Sequence, residues 1–153
     1  MALTQSMCDS FKVELLEGNH NFDTAGTPDT FKIALFRDTA SIVGTFGQAT
    51  TNYSEMGADE VDNGNGYTTG GETLTISQAP TNDGAGTAAY IDFGDVVWLA
   101  ATITASGALI YNSSQGNTAV AVLTFGGDKT STAGDFTIQF PAAASGTAII
   151  RIA

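Results

Sequence analysis

Between Val96 and Gly127 no residue carries a charged side chain, in a chain where 14% of residues are charged. Within that run, "GALIYNSSQGNTAVAVLTF" alternates apolar side chains about a turn at "SSQG", the pattern of a β-hairpin. Leu109 and Tyr111 fall on one face and Ala108 and Ile110 on the other. The partner strand sets Val120 and Val122 against Ala119, Ala121, Leu123 and Phe125. A half-exposed antiparallel strand keeps one alternate row polar. Here both rows are apolar, so both faces of the hairpin must be covered. Two covers meet that need. One is a sandwich core on one side, with an N-terminal helix and a long loop on the other; the second is another protein chain lying on one face. The small side chains of Ala108, Ala119 and Ala121 admit a close second layer either way. The candidate contact residues for a neighbouring chain are Leu109, Tyr111, Ala119, Ala121 and Leu123 on the hairpin, with Tyr53 and Met56 on the long loop.

The rest of the chain supplies the layers. "SMCDSFKVELLEGNHNF" is the single helix signal: Asp9 or Ser10 can cap it, Phe11, Leu15 and Leu16 fall near one face, and Gly18 can end it in a left-handed turn. It is expected to pack on a sheet edge. "TFKIALFR" then alternates with period two, Phe31, Ile33 and Leu35 against Lys32, Ala34 and Phe36. A long irregular stretch follows from Asp38 to Gly66, of the kind that is functional or mobile in compact domains. Further strands are expected at "YTTGGETLTI", "TAAYIDF", "ATITASGALIYN", "TAVAVLTF", "DFTIQF" and "TAIIRI", with turns at "TNDGAG", "NSSQGN", "GGDKTSTAG" and "PAAASG". Short strands with Gly/Asn punctuation and one short helix indicate an all-β chain, an antiparallel β-sandwich of jelly-roll-like type. The 153 residues read as one domain, 1–153, with an N-terminal arm and helix over about residues 2–18.

Composition narrows the partners. A net charge of −11, with Lys12, Lys32, Arg37, Lys129 and Arg151 scattered along the chain, offers no clustered basic surface for nucleic acid or for anionic lipid. No apolar run is long enough to span a bilayer as a helix. "MALTQSMCDS" has neither a basic start nor an apolar core, so no secretory signal is expected, and synthesis and folding in a cytoplasm follow. Asn52-Tyr53-Ser54 and Asn112-Ser113-Ser114 match the glycosylation sequon, a coincidence without a secretory route. Cys8, the one cysteine, can form no internal disulfide.

Reactive constellations are thin. Cys8 and His20 are one nucleophile and one base, but a short helix separates them, and a surface histidine after the helix stop is the expectation. "GTFGQA" and "GNGYTTGG" lack the lysine and the strand-to-helix setting of phosphate loops and read as turns. Asp59, Glu60 and Asp62 beside Asn63 and Asn65 are hard oxygen donors of the kind calcium takes, yet Val61 breaks the EF-hand spacing, and an acidic solvated loop is expected. Asp92 and Asp95 form a carboxylate pair in "IDFGDVVW"; alternation turns Asp92 outward, which argues against a glycosidase site. Trp98 reads as a core anchor. No cofactor is implied, and the chemistry points away from an enzyme, towards a protein whose product is a surface.

Taken together, "SFKVELLEGNHNF", "DTFKIALF", "GYTTGGETL", "YIDFGDVVW" and "GALIYNSSQGNTAVAVLTFGGDKTSTAGDFTIQF" resemble a family of small virion structural proteins of tailed bacteriophages. The likeness runs from about Ser10 to Pro141 and is most specific in "ALIYN…AVAVL.F..DK". The resemblance implies a place in the phage particle and no catalytic residue. Within that class a capsid decoration, or cement, protein on the major capsid protein is expected, self-associating and held to the shell by buried area. Acidity suits an outer face kept away from packaged DNA. The N-terminal segment Ala2–Asp9 and the 38–66 loop are the expected chain-to-chain contacts. The rival within the virion is a tail or fibre component with the 38–66 loop as recognition element, and a glycan-directed module ranks last.

Overall fold

The computed structural model describes residues 4–37 and 46–153. The fold is all-β, as the sequence pattern indicated. Among the described residues, two antiparallel sheets carry the chain, with one α-helix. In chain order the elements are β1 (Ser6–Met7), α1 (Asp9–Leu16), β2 (Phe31–Phe36), a 3-10 segment Tyr53–Asp59, β3 (Glu72–Thr73), β4 (Ile76–Asn82), β5 (Ala89–Phe93), β6 (Val96–Asn112), a 3-10 turn Ser113–Gln115, β7 (Thr118–Ile138) and β8 (Ile150–Ile152). The larger sheet runs β1-β7-β6-β2-β3 and the smaller β4-β5-β8.

The hairpin is longer than the sequence indicated. "GGDKTSTAG", read as a loop, is the middle of β7, which pairs with β6 from Asn112↔Thr118 to Val96↔Ile138. A straight strand of the 17 residues of β6 would span about 55 Å at roughly 3.3 Å per residue. A compact domain of 153 residues has a diameter of roughly 38 Å. The pair bends to fit. Its register slips between Trp98 and Ala101, Ala101 and Ile103, Ala105 and Gly107, and Ile110 and Tyr111. Three of the slips add one residue to one strand, and the slip between Ala105 and Gly107 sets four residues of β7, 125–128, against Ser106 alone; bulges of this kind bend a strand. The turn residues near 126–127 therefore bend a strand without ending it. Conversely, "YTTGGETLTI" forms only the two-residue β3 before β4 begins, and only Ile150–Ile152 of "TAIIRI" is strand.

Both faces of the central strands are buried. Ile33, Ala34, Leu35 and Phe36 of β2 are all interior, because β2 lies between β6 and β3 within the sheet and under other layers on both sides. Phe31 is the joint between the sheets: it stacks on Phe22 at 4.4 Å and meets Phe93 of the small sheet at 5.7 Å. Gly107 marks the tightest approach. A Cβ there would lie 2.5 Å from the Leu123 carbonyl oxygen and 2.6 Å from the Phe36 ring, so the β6 backbone reaches β2 and β7 only without a side chain.

Helix α1 lies against β7, beside the two-residue edge strand β1. Cys8 occupies its N-cap without a side-chain cap, where Asp9 or Ser10 had been expected. Gly18, at φ 78°, ends it as expected. Phe11 is buried and Leu15 partly so, but Leu16 is 90% exposed: five residues after Phe11, it lies roughly 140° round the helix from it. No helix among the described residues is long and apolar enough to cross a membrane.

Candidate interaction surface

The side chains proposed as contacts for another chain are mostly interior. Leu109, Tyr111, Ala119, Ala121, Leu123 and Met56 are buried within this chain, and Tyr53 is half-buried. Of the two covers open to the hairpin, the chain supplies its own. Cys8 N–H donates to the Val120 carbonyl, Ala119 N–H to Thr51 and Tyr53 N–H to Asn117, so the 50–53 segment runs along the start of β7. The Tyr53 ring then stacks on Tyr111 at 4.6 Å. These residues are a correction to the expected interface: they hold the monomer together. The described part of the 38–66 stretch, 46–66, is likewise docked; residues 38–45, and Ala2 and Leu3 of the N-terminal segment, lie outside the described residues.

What pins that stretch is a buried carboxylate. Glu60 Oε2 accepts from Tyr53 Oη at 2.6 Å, and Oε1 accepts from Tyr67 Oη at 2.8 Å and from Gly70 N–H at 2.7 Å. Tyr67 Oη in turn accepts Leu35 N–H, and Tyr111 Oη donates to the Gly70 carbonyl at 2.7 Å. Three phenols and a carboxylate thus tie the loop to β2 and β6. Burial raises the Tyr53 and Tyr67 phenols well above the ordinary tyrosine range, helped by the Glu60 charge, and pushes Tyr111 up to about 12. Beside this cluster a side chain on Gly71 (φ 66°) would overlap the Ile33 carbonyl oxygen, which fixes how closely the turn meets β2. Glu60 therefore does not belong to a solvated acidic loop. Asp62, exposed, pairs with Arg37 at 3.0 Å.

His20 is buried, against the expectation of a surface position. Asn112 Oδ1 accepts from Ser114 N–H, which turns its amide nitrogen towards His20 Nδ1 at 2.9 Å and Asp29 Oδ2 at 2.8 Å. Nδ1 is then an acceptor, and Nε2–H donates to Glu14 Oε2 at 2.8 Å. Both ring nitrogens are committed, so His20 and Cys8 make no nucleophile–base pair. Burial pushes the Cys8 thiol up to about 12, with like charge from Glu55 and Asp9 adding to it. That suppresses the thiolate a nucleophile needs.

The remaining polar motifs resolve into backbone capping. Asn52 accepts Ser54 N–H and Glu55 returns the favour at Asn52 N–H, a capping box on the 3-10 segment. Asn112 caps the next turn in the same way. An N-x-S spelling at the start of a turn is the signature of an Asn cap, and Asn112 is fully buried. Asp92 is buried too, because both faces of β5 are covered there: Ile91 and Phe93 on either side of it are also interior. Its Oδ1 accepts Phe93 N–H at 2.9 Å, while Oδ2 has no partner among the described residues. Desolvation raises its pKa, partly offset by the backbone N–H groups of Phe93 and Ile149. Asp95 accepts Phe140 N–H. Among the described residues no three His, Cys, Asp or Glu side chains converge on one point.

Among the described residues, one surface open to a partner is the outer half of the hairpin, a ribbon of β6 residues 96–105 and β7 residues 129–138. Its inner row (Val96, Trp98, Ala101, Ile103, Phe136 and Ile138) is buried, and its outer row is exposed. Beside it, where β7 bends, a cleft of about 560 Å³ is lined by Phe125, Phe136 and Phe140 together with polar side chains that include Gln5, Lys129 and Asp135. Comparison with protein-family models, with curated proteins and with solved structures gives no match to this chain.

Proposed function

We propose that this chain is a structural protein of a tailed-bacteriophage virion, a decoration protein that sits on the major capsid protein and stabilises the filled head. The reading is carried by the resemblance of residues from about Ser10 to Pro141, strongest in the "ALIYN…AVAVL.F..DK" block. That block is the β6–β7 hairpin, around which β2, α1 and the tyrosine-anchored loop are organised. Buried polar side chains such as Glu60, His20 and Asn112 spend their hydrogen bonds on holding loops to strands, as befits a part whose product is its surface. A net charge of −11 suits an outward position, since acidic surfaces repel packaged DNA. Many weak copies on one lattice detach rarely, which lets modest contacts reinforce a shell.

The test is a mass-spectrometric count of copies in purified virus, with labelled antibody to place them. Many copies spread over the head support decoration. A handful at the tail tip would instead support the fibre reading, and absence from the particle would end both. Particles assembled without the protein are expected to lose DNA under heat, chelation or osmotic shock that complete particles survive.

A further inference from the structure

The stretch "DNGNG", residues 62–66, sets two asparagines each directly before a glycine. Such a pair can react with itself. The glycine backbone nitrogen attacks the asparagine Cγ, and a C–N bond forms. The side-chain amide nitrogen departs as ammonia, taking the proton of the attacking N–H, and a succinimide ring remains. Water then opens the ring at either carbonyl. One opening gives aspartate; the other gives isoaspartate, with the main chain running through the former side chain. Glycine favours the reaction because its nitrogen swings towards Cγ with no Cβ in the way.

The fold treats the two asparagines differently. Gly64 N–H donates to the Tyr67 carbonyl at 2.8 Å and Tyr67 N–H to the Gly64 carbonyl at 2.9 Å. Asn65 and Gly66, between them, lie at φ 52° and 89°, a two-residue hairpin turn of type I′. At Asn63 the attacking nitrogen would be that of Gly64, whose hydrogen Tyr67 holds, and Asn63 Oδ1 itself accepts Thr69 N–H at 3.3 Å. At Asn65 the reacting groups are bare. Among the described residues neither the Asn65 side-chain amide nor Gly66 N–H has a hydrogen-bond partner, and both residues are exposed. An N–H open to water can give its proton to base, which makes the nitrogen a nucleophile; one held in a hydrogen bond must first be released. Turning the Asn65–Gly66 peptide towards Cγ breaks one bond, from Thr102 N–H to the Asn65 carbonyl at 2.8 Å.

We propose that Asn65 is a site of self-modification, losing its amide to attack by Gly66 N, while the fold spares Asn63. Two hydrogen bonds guard Asn63 and one guards Asn65, a difference of roughly fivefold in rate. The two products are not equivalent. Aspartate suits a type I′ turn as asparagine does and keeps the carbonyl that Thr102 holds. Isoaspartate lengthens the main chain where the turn meets β6 most closely: a Cβ on Gly66 would lie 2.7 Å from Ala101 Cα. Conversion to isoaspartate therefore frees Thr102 N–H and loosens the loop end from the hairpin. This holds whether or not the chain belongs to a virion.

The experiment ages the full chain at mildly alkaline pH, with and without urea, and follows both positions by peptide mass spectrometry, with fragment spectra to tell them apart. In the folded chain Asn65 should convert roughly fivefold faster than Asn63. In urea both simply precede glycine and should convert at nearly equal rates. Asn65→Gln, whose longer side chain closes the ring poorly, should leave only the slow conversion at Asn63. Hydrogen exchange at Thr102 N–H should be faster in the isoaspartyl form than in Asn65→Asp, which carries the same charge on an ordinary backbone. Equal or faster conversion at Asn63 in the folded chain would overturn the proposal. So would a folded chain inert at Asn65 while the unfolded one reacts, or the same preference for Asn65 persisting in urea. Thr102 exchange no faster in the isoaspartyl form would overturn the coupling to β6.

Discussion

Tyr53 donates its phenolic hydrogen to Glu60 at 2.6 Å while its ring lies on Tyr111 at 4.6 Å. One side chain of the loop thus reaches the buried carboxylate and the central hairpin together. Replacing Glu60 by Ala would leave Gly70 N–H and Tyr67 Oη buried without acceptors. Each unsatisfied group costs about 1–3 kcal/mol, so Glu60→Ala is expected to lower stability by roughly 3 kcal/mol in urea unfolding. Glu60→Gln keeps Oε1 for both donors, and the Tyr53 hydroxyl can rotate to accept from the new amide. It should cost less than half as much.

The same cluster sets an alkaline limit. The phenols of Tyr53, Tyr67 and Tyr111 are raised in the folded state by burial, Tyr111 to about 12. A group whose folded pKa lies above its unfolded value, about 10 for tyrosine, stabilises the fold fully below the unfolded pKa. That contribution is lost as pH rises towards the folded one. Stability should fall steeply from about pH 10 upward. In a titration followed at tyrosinate absorbance, these phenols should ionise together with loss of structure. Stepwise ionisation of all the tyrosines in a still-folded chain would contradict it.

The hairpin, the helix stop at Gly18 and the β character were legible because they rest on local rules: period two, turn residues, a left-handed glycine. The burial of His20, Glu60 and Asp92 was not, because each depends on partners remote in sequence. His20 is held by Asn112, and Asp92 is covered from the far end of the chain, where the Ile149 backbone N–H meets it. The length of β7 was hidden by "GGDKTSTAG", whose composition serves a bulged strand as well as a loop. Glu60 carried one readable signal: tyrosines at 53 and 67 flank a carboxylate in a stretch otherwise poor in aromatics.

The bonding around His20 places the ring hydrogen on Nε2 and leaves Nδ1 bare towards Asn112. Long-range proton–nitrogen NMR at neutral pH should show that tautomer. In Asn112→Asp an acceptor would replace the amide donor at Nδ1, next to Asp29, and the contact that fixes this tautomer should be lost. A wild-type ring with the hydrogen on Nδ1 would mean that Asn112 faces the other way and that Ser114 N–H has lost its acceptor.

Asp92 supplies the converse case of a carboxylate that the fold prefers protonated. Burial raises its pKa against the opposing backbone N–H groups of Phe93 and Ile149, Asp95 adds like charge, and Oδ2 has no hydrogen-bond partner among the described residues. Its contribution is therefore fully present below the unfolded pKa of about 3.9 and is lost as pH rises through the folded value. Asn has the same shape and never ionises. Asp92→Asn should lose this pH dependence, so its stability relative to wild type should be more favourable at pH 7 than at pH 4. A difference of about 1 kcal/mol, of the size common for single buried substitutions, is expected between the two pH values in urea unfolding. A relative stability that moves the opposite way would mean that Asp92 is better stabilised ionised in the fold than free in water, and that a cation or a proton donor reaches Oδ2.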